Sequence, residues 1–188
     1  MAQVIDQLGR DHHNFRILLD IVEEEMIAYQ EGQVPDFDLL EEIAEYALLY
    51  LDLVHHPTED LIFERLVMRD PCAKADIGKL VEEHKRLAEL ARKFAAAIGN
   101  AAHDVELPRE WLVSLVSEFL LANRSHMHAE EKNFLPRALA VLTEQDWASI
   151  DEKLLRINDP VFGEKVADLF LPLHERILKL HGLMHATK

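Results

Sequence analysis

Four histidines and two glutamates fall at positions where the helical pattern of this chain would otherwise place leucine or isoleucine. His55-x3-Glu59-Asp60-x2-Phe63 reappears about 71 residues later as His126-x3-Glu130-Glu131-x2-Phe134. Asp11-His12-x2-Phe15 likewise reappears, at an offset of about 72, as Glu83-His84-x2-Leu87. An imidazole and a carboxylate four residues apart project from one face of a helix, which makes them paired donors to an ion. His12, His55, Glu59, His84, His126 and Glu130 together suit two iron ions, with two imidazoles on each and both carboxylates bridging. The charge of about −2 on those carboxylates offsets much of the metal charge.

Helices must position these groups, because apolar residues recur at steps of three and four through nearly the whole chain and no segment alternates with period two. The first helix is expected over about Gln3 to Glu31, with Ile5, Leu8, Phe15, Leu19, Val22 and Met26 on one face and Gly32 and Pro35 ending it. A second runs from about Asp36 to Arg69 and is closed by Asp70-Pro71; a third covers about Ala73 to Ala101, and a fourth about Pro108 to Leu142. Pro57 removes a backbone bond to Leu53 and is expected to kink the second helix beside His55. Four long helices joined by short turns imply an all-α, up-down-up-down four-helix bundle over residues 1–142.

Beyond it, Thr143 and Asp146 read as the start of a short helix to about Ile157, broken by Asn158-Asp159-Pro160. A last helix is expected from about Gly163 to Ala186, with Val166, Phe170, Leu173, Ile177, Leu180 and Met184 as its stripe. This C-terminal helical hairpin, residues 143–188, should pack on the bundle or on a second subunit, the latter giving a homodimer.

The repeat makes the two hairpins of the bundle copies of one another, so they should pack about a pseudo-two-fold axis with each repeated residue facing its twin. Counting residues from the turns puts the six polar groups at one height, since a helix rises about 1.5 Å per residue. His12 stands about 21 residues before the first turn and His55 about 22 after it; His84 stands about 20 before the third turn and His126 about 22 after it. Glu59 and His84 each lie about 12 residues from the connection between the second and third helices. Two carboxylates in one core layer are costly to ionise, by several kcal/mol each, unless something positive sits between them. A metal pair supplies that charge.

Composition narrows the partners. The 188 residues allow one domain with a full core, and 49% hydrophobic with 29% charged residues is ordinary globular composition. A net charge of −15 repels nucleic acid and anionic membrane and favours cations. The single cysteine, Cys72, excludes an internal disulfide, no apolar run reaches the roughly 20 residues needed to cross a bilayer, and MAQVIDQLGRDHH lacks the apolar stretch of a signal peptide. The chain is therefore expected in the cytoplasm.

Over about residues 1–142 the sequence resembles the hemerythrin-like, or HHE cation-binding, family through Asp11-His12, His55-x3-Glu59, Glu83-His84 and His126-x3-Glu130, the last followed by Phe134-Leu135-Pro136. The resemblance implies one iron on His12 and His55, a second on His84 and His126, and Glu59 and Glu130 bridging them with an oxo or hydroxo group; zinc and manganese are the expected substitutes. Two features depart from the oxygen-carrying members. Those place a second histidine four residues after the one matching His84, where this chain has Ala88, which implies an extra open position or a water on that iron. They also place the last carboxylate five residues after its histidine, which would favour Glu131, whereas the internal repeat favours Glu130.

Asp60, Glu131, His13, His56 and His128 adjoin the six but are turned by about 100° from their neighbours, so they are expected at the rim of the site. His174, His181 and His185 share a face of the last helix and are expected to be solvated rather than a second metal site. The expected function is a diiron protein that binds or senses a small molecule: oxygen, nitric oxide or peroxide. The alternative is a diiron redox enzyme, a peroxidase or oxidase, or an iron-centre repair or iron-handling protein in nitrosative or oxidative stress.

Overall fold

In a computed structural model, which describes residues 3–155 and 157–180, the chain forms an all-helical bundle. The helix α1 spans Gln3–Gln30 and stops at Gly32, whose φ of 92° is open to glycine without strain. Asp36 accepts from Leu39 N at 3.1 Å and caps α2, Phe37–Tyr46. The same rod continues through a π-helical stretch, Ala47–His55, into α3, His56–Arg69. Asp70 ends it and accepts from Cys72 N, a short 3-10 turn covers Pro71–Ala73, and α4 runs over Lys74–Ala102. The fourth rod is α5, Arg109–Ala129, a π-helical turn Glu130–Phe134, and α6, Leu135–Val141. Packing of α2 on α4, α4 on α5 and α5 on α1 sets the rods side by side.

The four expected rods are all present, and the expected kink at Pro57 takes a specific form. Proline has no N–H to offer Leu53, so the ladder slips to wider bonds just before it, with His56 N donating to Leu51 O. Thr58 Oγ1 then donates to the carbonyl of Val54 at 2.7 Å. Pro136 stands in the same relation to the wide turn of the fourth rod, where Leu135 N donates to Glu130 O.

The apolar core divides into two parts. One is built around Phe15, Leu19, Val22, Tyr46, Phe94 and Phe119, the other around Leu8, Ile62, Phe63, Leu66, Leu80 and Phe134. On α1 the break falls between Leu8 and Phe15, on the second rod between Val54 and Ile62, and in both cases the intervening buried residues are histidine, aspartate or glutamate. A polar layer thus crosses the bundle between two hydrophobic caps.

The C-terminal segment departs from its expected course. Thr143 and Asp146 form the expected reciprocal cap, but α7 covers only Glu144–Asp151. The last helix does not begin at Gly163: α8 spans Leu171–Leu180, preceded by a 3-10 turn, Asp168–Phe170. The cause lies in Asp159, whose Oδ1 accepts from Val161 N and Phe162 N and so offers that backbone an alternative to helix. Gly163 N bonds back to Asp159 O, and a Cβ at Gly163 would run into that carbonyl. The stripe residues Phe170, Leu173 and Ile177 are buried in the bundle core, while Met184 lies outside the described residues. Bidentate donation from Arg69 to Asp146, and bonds from Asn14 and Tyr46 to Asp159, fasten the segment to α1 and the second rod.

Candidate metal centre

All six of the sequence-predicted donors meet in the polar layer, and all are buried; Glu59 and Glu130 are 0% exposed. His12 and His55 form one pair, with Nε2 atoms 3.1 Å apart and ring centroids 4.9 Å apart. His84 and His126 form the other, with centroids 4.8 Å apart. Each carboxylate reaches both pairs with different oxygens. Glu59 Oε1 lies 3.6 Å from His12 Nε2 and 3.5 Å from His55 Nε2, while its Oε2 lies 3.4 Å from His84 Nε2. Glu130 Oε2 lies 3.4 Å from His12 Nε2, while its Oε1 lies 3.5 Å from His84 Nε2 and 3.1 Å from His126 Nε2.

Behind the rings stands a second set of carboxylates, one at each Nδ1. His55 Nδ1 bonds Asp11 Oδ2, His12 Nδ1 bonds Glu131 Oε1, and His126 Nδ1 bonds Glu83 Oε2, at 3.1, 3.1 and 3.0 Å. His84 Nδ1 stands 3.2 Å from Asp60 Oδ1. Hydrogen bonds from the carboxylates fix Nδ1 as the protonated nitrogen of His12, His55 and His126 and leave Nε2 directed into the layer, the arrangement by which proteins orient imidazoles around an ion, while at His84 the Asp60 carboxylate stands near Nδ1 without an aligned bond. Glu131 therefore sits behind His12, salt-bridged to Arg16 at 2.7 Å, and it is Glu130 that enters the layer. Tyr50 and Gln7 both donate to Asp11, which steadies the carboxylate behind His55.

Electrostatically the cluster is a set of opposed charges. Burial pulls His12 down, but the facing Glu130 and Glu59 outweigh it and bring its pKa up to about 10. Burial likewise opposes, and Asp60, Glu130 and Glu59 overcome it, in raising His84 to about 11; His126 is raised against burial by Glu130 and Glu83. Burial and mutual repulsion push Glu59 and Glu130 up, yet the surrounding imidazoles hold both below the ordinary carboxylate range. Even so, both oxygens of Glu59 and of Glu130, and Nε2 of His84 and of His126, lack an aligned hydrogen-bond partner. Six buried polar atoms left so are expensive as a hydrogen-bonded network and are accounted for as donors to cations. Two imidazole nitrogens on adjacent positions of one ion, with bonds of about 2.1 Å at right angles, stand about 3.0 Å apart, which is close to the 3.1 Å between His12 and His55. The residues fit a pair of metal ions.

Of the expected rim residues, His13 and His128 are exposed, and Asp60 and Glu131 stand behind imidazoles. His56 is a correction. It is buried, its ring stacks on His84 at 4.3 Å and meets His126 edge-on at 5.9 Å, and burial lowers its pKa to about 4. Donor atoms of His56, Glu59, His84 and His126 all lie within 4.8 Å of one another, as do those of His12, His55 and Glu59. The sequence held a signal for it: on an ideal helix Glu59 lies about 40° from His55 and about 60° from His56, so an inward arc of about 100° admits all three. Elsewhere, His174 Nδ1 lies 2.8 Å from Val161 O, and His181 and His185 lie outside the described residues. Cys72 is exposed.

Two surface clefts reach the layer at twin positions. One of about 620 Å³ is lined by Asp11, Tyr50 and His55 on the bundle and by Leu154 and Leu155 beyond it; one of about 230 Å³ is lined by Glu83, Leu87 and His126. Among the described residues no helix is long and apolar enough to cross a membrane. Comparison with curated proteins and comparison with solved structures each find no match. The model of the hemerythrin HHE cation binding domain matches residues 3–138, which hold every donor described above. With that match, and with a buried histidine and glutamate layer able to hold cations, the chain belongs to the hemerythrin HHE cation-binding family.

Proposed function

We propose that the protein holds two iron ions in this layer and uses them to bind or sense a small molecule such as oxygen, nitric oxide or peroxide. In this reading His12 and His55 hold one ion, His84 and His126 the other, and Glu59 and Glu130 bridge. The observation that carries it is the division of each carboxylate, one oxygen facing each histidine pair. Residues 1–142 act as the metal-binding bundle and 143–188 as its C-terminal extension, which Asp146, Asp159, Phe170, Leu173 and Ile177 hold to the bundle. When bound and reduced, an iron pair would supply electrons to a small molecule.

The chain's own residues supply the surroundings. Asp11, Glu83 and Glu131 hold three of the imidazoles in the metal-binding tautomer. Phe63, stacked on the His84 ring at 5.5 Å and packed against Phe134 at 4.3 Å, covers one side and excludes water. The cleft at His55 gives a small molecule a way in.

Elemental analysis and ultraviolet-visible spectra of protein purified with iron test the reading. Two irons per chain, with reversible spectral changes when the reduced protein meets oxygen or nitric oxide, support it. Repeated consumption of peroxide with a reductant would move the assignment to a redox enzyme. A chain that takes up no iron pair contradicts both.

A further inference from the structure

Two of the three tyrosines, Tyr46 and Tyr50, stand on the second rod and join the metal layer to a buried carboxylate beyond it. Tyr50 Oη donates to Asp11 Oδ1 at 3.2 Å, and Asp11 Oδ2 is the acceptor behind His55 Nδ1. The Tyr50 ring lies 5.5 Å from that of Tyr46, whose Oη donates to Asp159 Oδ2 at 3.0 Å. Both rings are buried, and burial, with Asp159 and Asp11 beside them, pushes both phenol pKa values up, so each keeps its proton. The twin rod is built without such a pair: Arg109–Ala129 holds no tyrosine.

We propose that Tyr46 is a one-electron donor to the metal layer, the electron passing through Tyr50, and that it completes the reduction of peroxide when the ion pair is half-oxidised. This rests on the two-ion reading above. Loss of an electron from a phenol in an apolar core is costly unless its proton leaves as well, because a buried cation has nothing to solvate it. Asp159, bonded to Tyr46 and to none of the six inner donors, takes that proton. The step balances. Hydrogen peroxide, one electron from the ion pair, one electron from Tyr46 and two protons from solvent give two waters, while the phenol proton of Tyr46 moves to Asp159 and leaves a neutral tyrosyl radical. An external one-electron reductant such as ascorbate then returns the electron, and Asp159 returns the proton. The cleft that Tyr50, Asp11 and His55 line is where such a reductant meets the path.

Electron paramagnetic resonance of the half-reduced, iron-loaded full chain, frozen after mixing with hydrogen peroxide, tests the proposal. An organic radical signal that narrows when the tyrosine rings are deuterated is expected. Tyr46→Phe, which keeps the ring and its packing, is expected to lose it, Tyr29→Phe to keep it, and Tyr50→Phe to form it more slowly. A two-iron protein that forms no such radical, keeps it in Tyr46→Phe or loses it in Tyr29→Phe overturns the role of Tyr46 alone. If Tyr46→Phe does not retain two irons, Tyr50→Phe decides, and an unchanged rate overturns the path. A wild-type chain without an iron pair overturns the two-ion reading and the proposal together.

Discussion

His12 and His84 carry protons in the metal-free protein because Glu59 and Glu130 face them across a buried layer, with pKa values brought up to about 10 and about 11. An ion can use these imidazoles only as neutral donors, so loading must expel protons. Metal uptake at pH 8 is therefore expected to acidify a weakly buffered solution, and apparent affinity is expected to rise with pH; uptake without proton release would contradict this account of the site. Stability follows the same shifts. A histidine raised above its ordinary 6.5 in the folded state stabilises fully below 6.5 and loses that contribution as the pH climbs through the raised value. Thermal melts of the metal-free protein are expected to fall from pH 6.5 towards pH 10, and the iron-loaded protein is expected to escape this fall.

At the scale of single residues the six inner donors were legible because each interrupts an apolar stripe at a repeated position. The carboxylates behind them were half legible. Asp11 and Glu83, and Asp60 and Glu131, are part of the same repeat, but sequence spacing alone does not reveal that Asp11 serves His55 and Glu131 serves His12, across helices rather than along them. His56 is buried although its adjacency to His55 predicts the rim, because the inward arc centred near Glu59 is wide enough to take in both positions.

Among the elements, the rods were readable from periodicity, whereas the π-helical stretches were not, since a slipped hydrogen-bond ladder leaves no pattern in residue types. Pro57 marked the place without giving the form. The bounds of the last helix failed for a related reason: Phe170, Leu173 and Ile177 announce helix, but the bonds Asp159 makes to Val161 and Phe162 are local chemistry that apolar periodicity does not register. The cap of α7 is where an element can be tested alone. Asp146 accepts from Thr143 and from Arg69, and these bonds hold its carboxyl well below the ordinary 3.8. Asp146→Ala removes an N-terminal capping box worth about 1 kcal/mol together with the Arg69 pair, so the melting temperature should drop at neutral pH. A depressed carboxyl stabilises above its ordinary value and loses that contribution as the pH falls below it. The gap between variant and wild type should therefore narrow on acidification below about pH 4, and a gap independent of pH would contradict the role given to the pair.

As a whole the molecule is a polar layer clamped between two apolar caps, with the C-terminal segment completing one of them through Val161, Phe170, Leu173 and Ile177. Asp159 is the buried anchor of that segment, taking bonds from Asn14, Tyr46 and two backbone amides. Removing a buried acceptor with several donors costs about 1–3 kcal/mol for each donor left unpaired. Asp159→Ala is expected to lower the melting temperature and open residues 157–170 to proteolysis while the metal content stays at the wild-type value; unchanged protease resistance would argue against the anchor. Whether the polar layer holds an ion pair is read out by anomalous diffraction at the iron edge from crystals of iron-loaded protein. Two peaks about 3.5–4 Å apart, lying between the His12–His55 and His84–His126 pairs with Glu59 and Glu130 spanning them, are the predicted result, and a single peak, or iron located elsewhere, would contradict it.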